Sequence, residues 1–477
     1  MHKKNNLFTL IKSLSPAEKR YFKSFIGKQS TEKKYLKLFN VIDALNSYDE
    51  AIIRKFFATE KFTRQLHVMK IYLHATIMKR LRSFYSEAST SLKIKDCLKN
   101  IEVYFIKELF AHCSIEIARA EKLARAIEDD VALLEILSWK RKLHQNQSPV
   151  GFLGKEIIDQ QSGALARLTH NNNLWKELLD PMPVKAFDTR PQAAPTLNSK
   201  VLAYHIQYRD AVRLGKSKEA KRSLEELAHG LEKRLAVLNE DPTIYLTTLN
   251  NLISFLVFNK ETKEALKIVS KAKTFYQNLQ KVSRNNSNFR LILRTYNIEL
   301  EIYRDTELLD DAVNLIQQIV KLLDERRGNA PESYLLSLWF QFANIYFQRK
   351  DFRSSLHWIN EILNCSFADK RRDLHLQAQL LNLVVHFELR NFFVMRYFVA
   401  STMRSFKKNK ALLPYHKIVL SFFIKVSGEA ESTHPLLFQK LHKDLIAAAA
   451  AVPKSELDYI NWENWIRGKL KGRARVR

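Results

Sequence analysis

Few residues of the 477-residue chain have types and spacings that could support chemistry. His67 and His74 lie seven residues apart, so a helix would present both on one face, as two ligands of a metal ion would require. A metal site needs further ligands, and the nearby carboxylates do not provide an obvious set. We therefore expect two partly buried or surface histidines, with no metal and no cofactor.

Two adjacent pairs have the residue types of a nucleophile or of acid–base catalysis. His112 and Cys113 are neighbours and would point apart on a helix, which argues against a Cys–His pair. Asp129 and Asp130 are expected to form a solvated helix start or turn. The chain also contains no GxxxxGK, HExxH or GxSxG sequence. We therefore predict that the protein is not an enzyme and has no catalytic residue.

Basic and aromatic residues alternate near the N-terminus, in KRYFKSFIGK and KKYLKLF. Such segments can bind nucleic acids, with lysine and arginine on phosphates and aromatic rings on bases. The same aromatic residues also fall at i, i+3 and i+4 of expected helices, a spacing typical of a helix face that packs into a core. A second basic segment ends the chain, either as a solubilising tail or as a nucleic-acid contact: Lys469, Lys471, Arg473, Arg475 and Arg477.

The composition indicates an all-α protein with uneven charge. Glycine accounts for 10 of 477 residues, well below the average of about 7%, whereas parallel-sheet enzymes need glycine in their phosphate-binding turns. The net charge is +28. Residues 1–100 hold 21 Lys/Arg and 8 Asp/Glu, or +13, and residues 401–477 hold 15 and 6, or +9. An acidic partner would therefore experience the positive field first at the two ends.

Cysteine usage and the N-terminal sequence indicate a soluble cytoplasmic protein. The cysteines are far apart and show no CxxC spacing, which is typical of free thiols in a reducing compartment. Lys12 interrupts the first apolar run after five residues, which is too short for a signal peptide. No window reaches the roughly 18 uncharged apolar residues of a membrane span.

Two helices that position the rest are expected between Leu335 and Leu363. The first has apolar residues at i, i+3, i+4 and i+7, from Trp339 to Tyr346, and Asp351 is a good N-cap for the second. The small Ser355 would let the two helices approach closely. Each helix has only one apolar face, so the pair needs another pair beside it.

This stretch resembles a tetratricopeptide repeat, in which bulky, small and aromatic residues recur at fixed offsets. Four further stretches fill the same series less completely, and the slot held by Tyr346 recurs at Ala211, Leu256, Tyr303 and Phe387. The steps between successive members are 45, 47, 43 and 41 residues, against a usual period of about 34. The resemblance covers about residues 200–405 and implies an α-solenoid of antiparallel helical hairpins. The alternative is a non-repeating helical bundle.

We divide the chain by these patterns. Ser15, Pro16 and Glu18 predict a capped helix start, and a long helix is expected over 63–85. Four prolines between 181 and 199 exclude a regular helix there. The predicted segments are a basic N-terminal helical module at 1–90, irregular helical hairpins at 91–180, a proline-rich linker or long loop at 181–199, tetratricopeptide-like repeats at 200–410, C-terminal helices and a cap at 411–468, and a basic tail at 469–477.

The resemblance also implies a function, because tetratricopeptide stacks bind peptides along the first helices of their pairs. The outward positions of those helices are His205, Arg209, Arg213, Asn250, Ser254, Arg294, Asn297, Glu301, Arg304 and Asn344. We interpret the chain as a scaffold that binds a protein or peptide partner in this concave groove. The alternative is a nucleic-acid-associated regulator that uses the basic N-terminal module and the tail.

Overall fold

The structure, a computed structural model, describes residues 6–25, 30–147, 153–180, 189–279, 286–326, 330–449 and 460–471. Throughout these residues the regular elements are α-helices and short 3-10 helices, and no strand occurs among them. The prediction of an all-α chain is therefore confirmed. No helix in the described part is long and apolar enough to cross a membrane.

The described residues form two compact units, one over residues 6–248 and the other over residues 249–471. The helices of the first unit are α1 Asn6–Ser13, α2 Pro16–Phe25, α3 Ser30–Ala44, α4 Glu50–Phe56, α5 Leu66–Tyr85, α6 Thr90–Ile106, α7 Phe110–Ala126, α8 Asp130–Gln147, α9 Leu153–Leu179, α10 Leu197–Arg213, α11 Ser217–Glu232 and α12 Leu235–Glu240. Helix α13, Pro242–Phe258, contains the boundary between the units.

The second unit continues with helices of similar length. They are α14 Thr262–Asn278, α15 Asn286–Asp305, α16 Leu309–Glu325, α17 Glu332–Gln348, α18 Phe352–Asn364, α19 Arg372–Glu388, α20 Phe392–Lys408, α21 Pro414–Val426, α22 His434–Ala449 and α23 Trp462–Lys471. The main helix–helix contacts in this unit join neighbours along the chain or helices two apart, such as α15 with α17 and α17 with α19.

In the N-terminal module, α2 begins at the capping residues that the sequence predicts. The amide of Glu18 donates to the Ser15 hydroxyl at 3.3 Å, and the amide of Ser15 donates to the Glu18 carboxylate at 2.6 Å. The predicted capping box at the start of α2 is thus confirmed. The expected long helix divides into a 3-10 helix, Lys61–Gln65, and α5.

A turn of one geometry ends a helix at eight places in the described residues. One residue of each turn has a positive φ, between 54° and 70°. The amide of the next residue donates to the carbonyl five residues back at 2.8–3.0 Å, which is the Schellman closure of a helix C-terminus. The positive-φ residues are Glu108, Glu128, Gly215, Lys260, Glu307, Lys350, Arg390 and Lys410.

The hydrogen bonds of these turns show how successive helices align with the repeat series. The carbonyl acceptors include Ala211, Leu256, Tyr303 and Tyr346, which are slots of the sequence pattern. In the last pair the acceptor is His386 rather than Phe387, so the alignment of that pair shifts by one residue. Counted nine residues from Phe387, the position equivalent to Ser355 falls on Arg396. Counted from His386, it falls on the fully buried Met395.

Close approach of two helices depends on the residue at that ninth position. Ser355 is fully buried, and its hydroxyl donates to the Ala343 carbonyl of the preceding helix at 2.8 Å. Cys113 occupies the equivalent position in α7, and its thiol lies 3.7 Å from the Ile101 carbonyl of α6. The expectation of a close contact at Ser355 is confirmed, and Asp351 caps α18 through the amide of Ser354 at 3.1 Å.

Candidate partner-binding surface

The structure shows where the His67–His74 and His112–Cys113 pairs lie. His67 and His74 are exposed on α5, and among the described residues no group of three or more His, Cys, Asp or Glu side chains could hold a metal ion. His112 is exposed whereas Cys113 is buried, so the two do point apart, and burial raises the pKa of the Cys113 thiol. A thiol held in its protonated form is a poor nucleophile.

The expectation of a solvated acidic pair at 129–130 is half wrong. Asp129 does cap a helix start, because its carboxylate accepts from the amide of Ala132 at 3.0 Å. Asp130 is only 7% exposed and pairs with Arg167 of α9, whose Nε lies 3.0 Å from both carboxylate oxygens. The ion pair compensates the cost of burying this carboxylate, and it links α8 to α9.

The three predicted groove residues of the first unit differ in exposure and in their contacts. His205 is half-buried, and burial lowers its pKa. Arg209 is turned inward: its guanidinium donates to the Leu178 carbonyl at 3.2 Å and lies 3.4 Å from the buried Glu177 carboxylate. Arg213 is exposed. Arg209 therefore holds the C-terminal end of α9 against α10 and is not free to bind a partner.

In the second unit, two of the predicted residues are buried. Asn250 is fully buried; its amide donates to the Leu291 carbonyl at 3.0 Å, and its carbonyl oxygen accepts from the Thr295 hydroxyl at 3.0 Å. Asn344 is 6% exposed and donates to the Phe340 carbonyl of its own helix at 2.9 Å. Both asparagines therefore serve the packing of their helices.

The remaining predicted residues do come together, on and around α15. Its residues Arg294, Asn297, Glu301 and Arg304 follow one another at i, i+3, i+7 and i+10, on one face, and all four are half-buried. Arg294 lies 3.4 Å from the hydroxyl of Ser254 in α13. This set, together with Gln341, is called the α15 wall below.

Gln341 of α17 belongs to the wall but was not predicted. Its side-chain oxygen accepts from Arg304 at 2.9 Å, and Arg304 also pairs with Asp305 at 2.8 Å. Gln341 comes directly before Phe342, a bulky apolar position of the repeat series. From the sequence alone, Gln341 is only a polar residue between apolar ones. Its proximity to Arg304, 37 residues away, is a tertiary property.

The electrostatics of the α15 wall are mixed in sign. Burial raises the pKa of Glu301, and the nearby Arg304 opposes that rise. The side-chain oxygen of Asn297 is buried and has no hydrogen-bond partner among the described residues. The wall therefore offers cationic donors, amides and a carboxyl group within one stripe, a combination that can bind a peptide main chain together with an acidic group.

An ion pair between a buried glutamate and a half-buried lysine, which was not predicted from the sequence, lies next to this wall. Glu299 stands at the position that Phe342 holds in the repeat series. Its carboxylate lies 3.0 Å from the ammonium of Lys273 in α14 and accepts from the Tyr303 hydroxyl at 3.2 Å. Lys273 also lies 5.2 Å from the centre of the Tyr296 ring. A charged residue at an apolar slot was the one sequence signal of this pair.

The last predicted features lie at the C-terminus. Trp465 packs against Phe387, Phe422 and Phe438, and its indole N–H donates to Glu388 at 2.6 Å. Lys469, predicted to begin the tail, belongs to α23 and pairs with Glu388 at 2.6 Å. Arg473, Arg475 and Arg477 lie outside the described residues.

Comparison of the chain with protein-family models, with curated proteins and with solved structures found no match.

Proposed function

We propose that the protein is a non-enzymatic, cytoplasmic helical-repeat scaffold of the tetratricopeptide-like kind, an α-solenoid that binds a protein or peptide partner through its first helices. The observation that carries the proposal is the recurrence of one turn geometry, with Schellman closures at corresponding positions 40–47 residues apart from Gly215 to Arg390. Chains that repeat one helix–turn–helix unit bury their apolar faces by stacking neighbours.

The α15 wall is the best-supported place for the partner. Three successive first helices contribute to it, because Ser254 of α13 contacts Arg294 and Gln341 of α17 contacts Arg304. An extended peptide laid across these helices would meet donors and acceptors along its main chain, and arginine is enriched among residues that dominate binding energy. In this proposal Trp462, Trp465 and Ile466 of α23 cap the C-terminal end of the stack.

Photo-crosslinking tests the proposal. A photoreactive amino acid placed at Asn297 or Gln341 is expected to capture a discrete partner in an extract of the natural host. The same group placed on second helices, at Lys267 or Asn314, is expected to capture none. Lys267 and Asn314, the two outer positions, are both exposed.

The partner's chemistry is tested with matched double variants. Arg294→Gln with Arg304→Gln is expected to weaken binding of the captured partner about ten-fold or more, whereas Lys267→Gln with Arg353→Gln removes the same charge from second helices and leaves it unchanged. Equal capture from inner and outer positions, or equal affinity of the two double variants, would reject the wall as the binding surface.

A further inference from the structure

The N-terminal module has a helix whose solvent face carries basic residues and no acidic ones. Helix α5 contains no Asp or Glu in 20 residues. It buries Leu66, Leu73 and Ile77 in the core of the module. The opposite side is exposed over its whole length and carries His67, Ile71, Tyr72, His74, Ala75, Lys79, Arg82 and Ser83.

The acidic side chains of this module that the structure describes have hydrogen-bond or ion-pair partners. Glu50 pairs with Lys70 at 2.6 Å and with Arg54 at 2.8 Å, and Asp43 pairs with Lys19 at 2.6 Å. The carboxylates of Glu18 and Asp49 accept hydrogen bonds, and those of Glu60 and Glu87 form ion pairs.

By contrast, Arg64, Lys79 and Arg82 have no carboxylate partner among the residues that the structure describes. Arg64 precedes α5 in the 3-10 helix and is exposed, as are Lys79 and Arg82. Ion pairs thus neutralise the carboxylates of Asp43, Glu50, Glu60 and Glu87. The cations of Arg64, Lys79 and Arg82 face solvent, where they attract a polyanion.

The aromatic residues of the basic N-terminal segments are not part of this face. Phe22 and Phe39 are buried and pack against each other with ring centres 4.8 Å apart. The core interpretation of KRYFKSFIGK and KKYLKLF is therefore correct for these two rings. The exposed aromatic side chain of α5 is Tyr72, 56% exposed, next to Ile71, 65% exposed.

We propose that the exposed face of α5 is a docking surface for double-stranded DNA, with the helix lying in the major groove. A helix of this length extends about 30 Å and is about 10–12 Å wide, which matches a groove about 12 Å wide. Arg64, Lys79 and Arg82 contact phosphates, and Ile71 and Tyr72 face the base edges, where apolar side chains contact thymine methyl groups.

Two other polyanions fit this face less well. A helix that binds a membrane surface inserts a continuous apolar face, but α5 turns its apolar stripe into the module and exposes only Ile71 and Tyr72 as large apolar residues. Single-stranded nucleic acid is bound by successive aromatic rings that stack on bases, and α5 exposes a single such ring. The proposal goes beyond the scaffold function, and either can fail without the other.

The test measures binding of the full chain to a labelled mixed-sequence DNA duplex as salt is raised from about 50 to 200 mM. We expect binding that weakens steeply with salt. Lys79→Gln with Arg82→Gln is expected to lower the slope of log affinity against log salt by about two and the affinity about ten-fold or more, since each lost phosphate contact contributes about 0.9 to that slope. Tyr72→Ala is expected to weaken binding with an unchanged slope.

The matched control is Arg404→Gln with Lys407→Gln, which removes the same charge from exposed positions of α20. It should leave affinity and slope unchanged, and circular dichroism of each variant checks that the fold is retained. Equal losses in both double variants would show a non-specific charge effect and overturn the proposal. So would tighter binding of the matching single strand, binding of phosphatidylserine vesicles but not of the duplex, or no duplex binding at the lowest salt.

Discussion

Charged residues inside this protein are paired with residues far away in sequence. Arg209 contacts Glu177, 32 residues earlier, and Arg167 contacts Asp130, 37 residues earlier. Lys273 contacts Glu299, 26 residues later. Each pair joins two helices, so its members are structural even where a helical pattern alone assigns them to a surface. The assignment of Arg209 to a partner groove has this origin.

Replacing Arg209 is therefore expected to affect stability before it affects binding. Arg209→Ala leaves the Glu177 carboxylate, which is 4% exposed, without its cation and should lower the free energy of unfolding by about 3 kcal/mol. Urea denaturation followed by circular dichroism measures the loss. Arg213→Ala, four residues on and exposed, is the control and should change stability by less than about 0.5 kcal/mol. Similar losses in both variants would contradict the assigned role.

His416 is expected to make stability depend on pH. It is 1% exposed, its ring centre lies 4.4 Å from that of Phe406, and its Nδ1 accepts from the Leu413 amide at 3.0 Å. Burial lowers its pKa from 6.5 to about 4. Folding thus favours the neutral ring, so this contribution is complete above about pH 6.5 and falls by about 3 kcal/mol as the pH drops toward 4.

The measurement compares unfolding free energies near pH 7.5 and near pH 5 for the natural chain and for His416→Gln. Glutamine keeps an acceptor for the Leu413 amide but cannot be protonated, so the variant should lose less stability on acidification. Burial also lowers the pKa of His386, and the difference between the two chains removes that shared effect. An identical acid-induced loss in both chains would show that His416 is not responsible.

At the scale of elements, the recurring turn places residues with side chains in a conformation that favours glycine. Lys350 has φ 63° and Glu307 has φ 61°, whereas Gly215 holds the same position at 70°. A residue with a Cβ is strained there by about 1–2 kcal/mol, partly offset because glycine has a larger entropy in the unfolded chain.

Lys350→Gly is accordingly expected to stabilise the protein by roughly 0.5–1 kcal/mol. The converse change, Gly215→Ala, should destabilise it by about 1 kcal/mol. No heavy atom lies within 4 Å of the position of the added Cβ, so the loss would report backbone strain alone. Chemical denaturation measures both. A stability loss in Lys350→Gly would contradict the strain argument.

The same turns mark what sequence reasoning could and could not predict. Caps at Ser15 and Asp351 were predictable, because a cap depends on residues within four positions. The turns at Glu108 and Glu128 were not predicted, because the side chains of 91–180 match the repeat series only weakly and glutamate does not signal a positive φ. Their geometry nevertheless matches that of the later turns. The α15 wall was predicted in part: the stripe on one helix follows from spacing, but the contribution of Gln341 depends on packing.

At the scale of the whole molecule, the proposed repeat predicts that a segment of one repeat length can be deleted and the remaining chain still folds. In a solenoid each unit contacts mainly its neighbours, so stability is approximately a sum over units and interfaces. Glu307 and Lys350 occupy corresponding positions of two turns, 43 residues apart. Deleting residues 308–350 joins the turn after α15 directly to Asp351, the cap of α18.

We expect this shortened chain to remain helical and to unfold cooperatively at a lower urea concentration, because it loses α16 and α17 but keeps a complete turn and the phase of the apolar stripes. The control deletion, residues 308–352, removes two residues more. It eliminates the Asp351 cap and rotates α18 by about 200° relative to α15, so its apolar face, with the fully buried Ile359 and Ile362, would turn toward solvent. This chain should lose cooperative unfolding, as measured by circular dichroism in urea. If both deletions unfold alike, or both fold alike, the helices of this region are not interchangeable units of a stack.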